Sequence, residues 1–171
     1  MNCDGVAGNS PVNATSFATT AFDRVRILER YKRIAMVGLS ANPFRPSHFA
    51  AIYMLAAGYE VIPVNPREKR ILGQTCYPSL RDVPGPIEIV DIFREPSATP
   101  AIVDDAIAVG AKVIWMQLGV IHEDAAARAR DAGLEVVMDR CVKIEHARFC
   151  GGLSTIGLNT GVISSRRRRP A

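Results

Sequence analysis

The sequence predicts an α/β domain: a doubly wound sheet of about five parallel strands, preceded by an N-terminal helix. Three observations predict it. Short apolar runs alternate with helical stretches from residue 20 onward, three of those helices stop at a glycine, and the spacing from strand to strand suits crossover connections rather than hairpins.

Residues 1–19 are rich in Asn, Ser, Thr, Gly and Pro without periodicity, and are expected to form a disordered leader. The domain is expected over 20–149. Phe22, Val25, Ile27, Leu28 and Tyr31 recur at mostly helical spacing among charged residues, so an amphipathic helix precedes the first strand and covers an edge or face of the sheet. The run Arg33 to Leu39 suits a strand buried on both faces. Ser47 to Ala57 is helical and stops at Gly58, a natural C-cap. Tyr59 to Val64 is the second strand, closed by Asn65 and Pro66, and a loop with a short helix near Ser79 to Val83 follows. Ile87 to Phe93 is the third strand, Pro100 to Val109 a helix ending at Gly110, and Lys112 to Leu118 the fourth strand. His122 to Ala132 is a helix ending at Gly133, and Leu134 to Met138 is the fifth strand. Repeated units of this kind describe a Rossmann-like architecture. Residues 150–171 read as a flexible Gly/Ser-rich and Arg-rich tail.

Composition excludes several classes. At 171 residues and 48% hydrophobic, the chain can bury a core without a metal or disulfide staple. No apolar window reaches the length a membrane helix needs, and the N-terminus lacks the features of a secretory signal. The four cysteines share no CxxC or CxxH spacing, so a reduced cytoplasmic setting is expected and no metal site is. The formal net charge of +4 comes from Arg166, Arg167, Arg168 and Arg169; without them, 17 cations face 17 anions. A neutral body with a basic terminus argues against nucleic acid as the main partner.

In open parallel sheets, ligands bind beyond the carboxyl ends of the strands where strand order reverses. That rule selects Gly38 to Ser47 after the first strand, Asn65 to Arg67 after the second, Arg94 to Pro96 after the third, Gly119 after the fourth and Asp139 to Cys141 after the fifth. The first loop leads into a helix N-terminus that favours an anion, with Pro46 suited to its first turn and Ser40, Asn42 and Ser47 able to donate to phosphate oxygens. Of the motif G-x-G-x-x-G it carries only Gly38, which weakens a dinucleotide dehydrogenase. The second strand ends in Asn65, Pro66 and Arg67, with Lys69 and Arg70 beyond, where an NAD site calls for an acid. Those cations suit an extra phosphate beside an adenosine ribose, as in NADP or coenzyme A, or else a solvated loop.

The stretches VGLSANPFRPSH (Val37 to His48), GYEVIPVNP (Gly58 to Pro66), ILGQTCYPSL (Ile71 to Leu80), VDIFR (Val90 to Arg94), WMQLG (Trp115 to Gly119) and VMDRCVKIEHAR (Val137 to Arg148) together resemble the stand-alone CoA-binding family. That family is related to the N-terminal domain of the succinyl-CoA synthetase α subunit. The resemblance implies coenzyme A or an acyl-CoA as ligand. Its pyrophosphate would lie on the loop Ser40, Ala41, Asn42, Pro43 and Arg45, its adenosine near Val64, Asn65, Pro66 and Arg67, with Lys69 at the 3′-phosphate and pantetheine running past Phe93, Arg94 and Pro96. Related synthetases use a further domain with a phosphorylated histidine and a nucleotide-grasping subunit, so binding without turnover is expected.

One cluster suits chemistry: Asp139, Arg140, Cys141, Lys143, Glu145 and His146, where the two cations would favour a Cys141 thiolate. Its other reading is a small buried cysteine with Glu145, His146 and Arg148 in a structural network. The competing functions are therefore a CoA-binding module, a thiol-dependent acyl-CoA enzyme using Cys141, and an NADP-dependent oxidoreductase. A homo-oligomer or a protein partner is left open.

Overall fold

The computed structural model describes residues 19–150. The expected leader, Thr19 apart, and the expected tail, Cys150 apart, lie outside the described residues. Five parallel strands form one sheet: β1 (Arg33–Val37), β2 (Glu60–Val64), β5 (Ile89–Ile92), β6 (Val113–Met116) and β7 (Glu135–Val137), in the spatial order β2-β1-β5-β6-β7. β3 (Arg70–Ile71) and β4 (Gln74–Thr75) make a small antiparallel hairpin between β2 and β5. The chain steps outward from β1 to β2 and returns on the other side of β1 as β5. Strand order thus reverses between β1 and β5, the position at which doubly wound sheets open a crevice.

Strict alternation along each strand divides the core into two layers. Ala35, Ile62, Val64, Val90, Ile92, Ile114, Met116 and Val136 face α3 (Thr99–Ala108) and α4 (Glu123–Asp131), which contribute Val103, Ala106, Ala125, Ala126 and Ala129. Ile34, Met36, Val61, Ile89, Val113, Trp115 and Val137 face α1 (Ala21–Arg30), α2 (Pro46–Ala56) and α5 (Val142–Phe149), which contribute Ile27, Leu28, Ala51, Met54 and Val142. A one-turn helix at Leu80–Asp82 replaces a full crossover helix between β2 and β5.

The N-terminal helix takes its place for identifiable reasons. The Thr20 hydroxyl accepts the Asp23 amide, and the Asp23 carboxylate accepts the Thr20 amide, which satisfies orphan donors of the first turn. Arg24 then reaches the buried Glu145 of α5 at 2.7 Å, Arg148 approaches the same carboxylate at 3.4 Å, and Arg26 pairs with Glu135 at the start of β7. Glu145, His146 and Arg148 therefore belong to helix packing, the structural reading of that segment. His146 stands edge-on between Tyr53 and Tyr59, its Nδ1 3.0 Å from the Tyr53 hydroxyl, and burial holds its pKa below the usual histidine value. Among the described residues no helix is long and apolar enough to cross a membrane.

Candidate functional site

Strand β1 ends where Gly38 turns the chain at φ +85°, a left-handed conformation that glycine alone adopts without strain. A methyl group there would stand 2.6 Å from the Phe93 carbonyl oxygen and 2.7 Å from Arg94 Cδ. The loops after β1 and β5 thus touch at the point where strand order reverses. The Gly38 amide donates to Val64 at 2.9 Å, and the Asn65 side-chain amide donates to the Leu39 carbonyl at 2.9 Å. Asn65 therefore fastens the loop after β2 to the loop after β1.

The loop from Ser40 to Arg45 is held by its own side chains. Ser40 Oγ accepts the Asn42 amide at 3.1 Å, Asn42 Oδ1 accepts the Phe44 amide at 2.9 Å, and the buried Ser47 Oγ accepts the Ser40 amide at 3.1 Å. His48, also buried, donates from Nδ1 to the Ser40 carbonyl at 2.8 Å. The tautomer follows from the carbonyl, which only accepts. Ser47 is placed to shape the loop, whereas Ala41, Asn42, Pro43 and Arg45 are exposed.

Helix α2 begins with Arg45 as N-cap and Pro46 at its first turn, with no side-chain cap and no acidic residue in that turn. Helices α1 and α4 differ: each has a side-chain cap and an acidic first turn, His122 capping α4 through the Ala125 amide. The positive end of α2 is left unneutralised, beside an exposed guanidinium. After β2, Pro66, Arg67 and Lys69 are exposed, and Asn65 Oδ1 accepts the Arg67 amide at 3.0 Å. Arg70 is engaged elsewhere: its guanidinium donates to the Gly73 carbonyl at 2.9 Å within the hairpin turn.

The far side of the edge is built from β5, β6 and β7. Arg94 pairs with Glu95 at 2.9 Å, which lowers the Glu95 pKa, while Phe93 is half-buried and Pro96 exposed. The Gly119 amide donates to Asp139 at 2.8 Å, and the Trp115 indole donates to the Arg140 carbonyl at 2.8 Å, so the loops after β6 and β7 are tied as well. Cys141 is half-buried as the N-cap of α5. Of the two readings of Cys141, burial disfavours the thiolate: it pushes the thiol up, and backbone hydrogen bonds at Ile144 and Lys143 with the Lys143 charge offset the rise only in part. Desolvation outweighs the Lys143 charge. At neutral pH the group is a thiol.

Two buried polar residues near this edge, Asp91 and Gln117, are not among the site residues expected from the sequence. Asp91 lies in the middle of β5, fully buried, with its Oδ1 accepting the Gln117 side-chain amide at 2.7 Å and its Oδ2 without a hydrogen-bond partner. Burial raises its pKa to about 8 against the lowering effect of Gln117, so the carboxyl is neutral at pH 7. The available signal was an acid inside an apolar strand, since such a group is retained only when neutral or paired.

A family model described as "CoA binding domain" matches residues 32–147. The chain is similar to the uncharacterized protein YneT of Bacillus subtilis (strain 168), 43% identical over 121 residues that span 71% of this chain and 90% of that protein. It is similar in structure to a hypothetical protein of Pyrococcus horikoshii OT3, with 41% identity and a TM-score of 0.77 across 85% of this chain and 100% of the other. A Thermus thermophilus protein is 34% identical with a TM-score of 0.73, covering 76% of this chain and 98% of the other.

Proposed function

The chain belongs to the CoA binding domain family, and from that membership we propose that it binds coenzyme A or an acyl-CoA at the carboxyl edge of its sheet, without turnover. The observation that carries the reading is the pairing of an unneutralised helix N-terminus with exposed cations after two adjacent strands, Arg45 beside β1 and Arg67 with Lys69 beyond β2. A diphosphate and a separate sugar phosphate are the anions that such a divided basic surface suits.

In this reading the loop Ser40 to Arg45 holds the diphosphate, Val64 to Arg67 flank the adenosine, Lys69 reaches the 3′-phosphate, and the pantetheine passes Phe93, Arg94 and Pro96 toward Gly119. Coenzyme A supplies a thiol that carries acyl groups. The chain's own residues supply binding and orientation. Binding without turnover is supported by the state of the candidate groups: the Cys141 thiol is held protonated, His48 and His122 hold loop and helix ends, and His146 is packed between tyrosines. Binding in a reduced, cytoplasmic compartment is part of the same proposal.

The test uses the 3′-phosphate. A charge-assisted contact contributes about 1.5–3 kcal/mol, so dephospho-CoA should bind roughly tenfold or more weakly than CoA. Replacing Arg67 and Lys69 with Ala should erase that difference while leaving dephospho-CoA affinity unchanged. Equal affinities for the two ligands in the unaltered protein would return both cations to the role of a solvated loop.

A further inference from the structure

We propose that the outward face of α2 is a contact between two copies of this chain, paired antiparallel about a two-fold axis that passes between Phe49 and Ile52.

Three observations carry it. First, α2 is apolar on both sides. Its inner face packs Ala50, Ala51 and Met54 into the core, while its outer face presents Phe49, Ile52 and Ala56, the first two 52% and 47% exposed. Between Pro46 and Ala56 there is no Asp, Glu, Lys or Arg, whereas each of the other four α-helices among the described residues carries at least two. A helix that is apolar all round belongs in contact on every side. Single apolar residues scattered on a surface call for no partner, but a stripe of them on a charge-free helix does.

Second, the stripe is its own complement. Arg45, Phe49, Ile52 and Ala56 follow one another at intervals of four, three and four residues, the spacing of a seam between helices. Those intervals are the same read from either end. A second α2 laid antiparallel therefore sets Phe49 against Ile52 of the other copy, and Arg45 against its Ala56. Pairing one patch with itself about a two-fold axis is the commonest association of identical chains, and it closes at two copies.

Third, the charges agree. α2 has no acidic residue in its first turn and no basic residue in its last, so its own side chains compensate neither end of its dipole. Antiparallel pairing brings each positive end, with the exposed Arg45, to the negative end of the other helix. Parallel pairing would set like ends together. The approach is open as well, because α2 follows β1 and leads to β2, the edge strand of the sheet.

Size sets the strength. A helix of 11 residues is about 16 Å long, and one such stripe covers less than the roughly 800 Å² per partner of a standard interface. The pair is therefore weak, with a Kd in the micromolar range.

Sedimentation equilibrium of the full chain, from about 5 to 500 µM at physiological salt, tests it. The mean mass should rise from 18.6 kDa toward twice that value. Ile52→Lys and Phe49→Glu each set a charge against an apolar residue of the other copy, and each variant should stay monomeric throughout. An equal mixture of the two should associate again, because the introduced charges are opposite and meet across the axis. Ile121→Lys, at an exposed isoleucine on the loop after β6, should associate like the unaltered chain. An unaltered chain that is monomeric at every concentration overturns the proposal. If Ile52→Lys then also lowers the melting temperature by several degrees, the stripe is covered within its own chain instead. Variants that associate as well as the unaltered chain place the contact elsewhere and overturn it too. A mixture that stays monomeric overturns the antiparallel pairing.

Discussion

Asp91→Asn should be more stable than the unaltered protein at pH 8 by on the order of 5 kcal/mol, and scarcely more stable at pH 4. The sign follows from linkage. The carboxyl has an ordinary value of 3.8 when unfolded and about 8 when folded, because burial raises it. Between those values the unfolded chain releases the proton and the folded chain keeps it, so stability is greatest below pH 4 and is lost progressively up to pH 8. Asparagine does not ionise and preserves the shape and the acceptor for Gln117 Nε2. Its advantage should therefore grow by about 1.4 kcal/mol per pH unit across that window. Urea denaturation of both proteins at pH 4, 6, 8 and 9 measures this directly. Parallel stability profiles would mean that burial does not hold the Asp91 carboxyl protonated in the folded state.

Reversing two exposed charges, Arg45→Glu with Arg67→Glu, should weaken CoA binding by more than a hundredfold with an unchanged melting temperature. Each charge-assisted contact contributes about 1.5–3 kcal/mol, so losing two of them accounts for such a loss before repulsion is added. Both side chains are exposed, neither makes an ion pair among the described residues, and the fold should be indifferent to them. Ser47 would be a poor choice for the same purpose. Its buried hydroxyl holds the Ser40 amide, so an acidic residue there would disturb the loop whether or not a ligand binds. A double variant that binds within threefold of the original, in low and physiological salt, would detach these cations from the site.

The sheet was legible because each of its strands is an apolar run closed by a turn signal, and the helices after β1, β5 and β6 end near Gly58, Gly110 and Gly133. β2 ends at Val64 as expected, while the other four strands are shorter than expected at their carboxyl ends: β1 stops at Val37 because Gly38 turns at once into a left-handed conformation. Helix α5 escaped notice since three of its buried residues are Glu145, His146 and Arg148, which conceal the apolar face that periodicity detects. Their burial depends on Arg24, 121 positions away, and no local pattern reveals that partner. The hairpin β3–β4 was missed because two residues per strand leave no alternation to read.

The first loop showed itself by its order of glycine, small polar residues and proline before a helix. Ties between loops did not, since Asn65 to Leu39 and Gly119 to Asp139 are set by strand order, which the sequence left open. Cys141 carries two readings in the sequence for a related reason: Arg140 and Lys143 are its neighbours there, but in the fold its pKa answers first to burial. Asp91 was visible in VDIF as a charge inside a strand. Only the packed sheet shows it fully buried with one oxygen unpaired.

The central claim is that the carboxyl edge of this sheet takes CoA rather than a nicotinamide dinucleotide. Calorimetric titration of the full chain with CoA, NADP and NAD under identical salt tests it most directly. CoA should bind most tightly, NADP more weakly through its adenosine phosphate, and NAD most weakly. NAD or NADP binding as tightly as CoA, or no binding of CoA at all, would contradict the account.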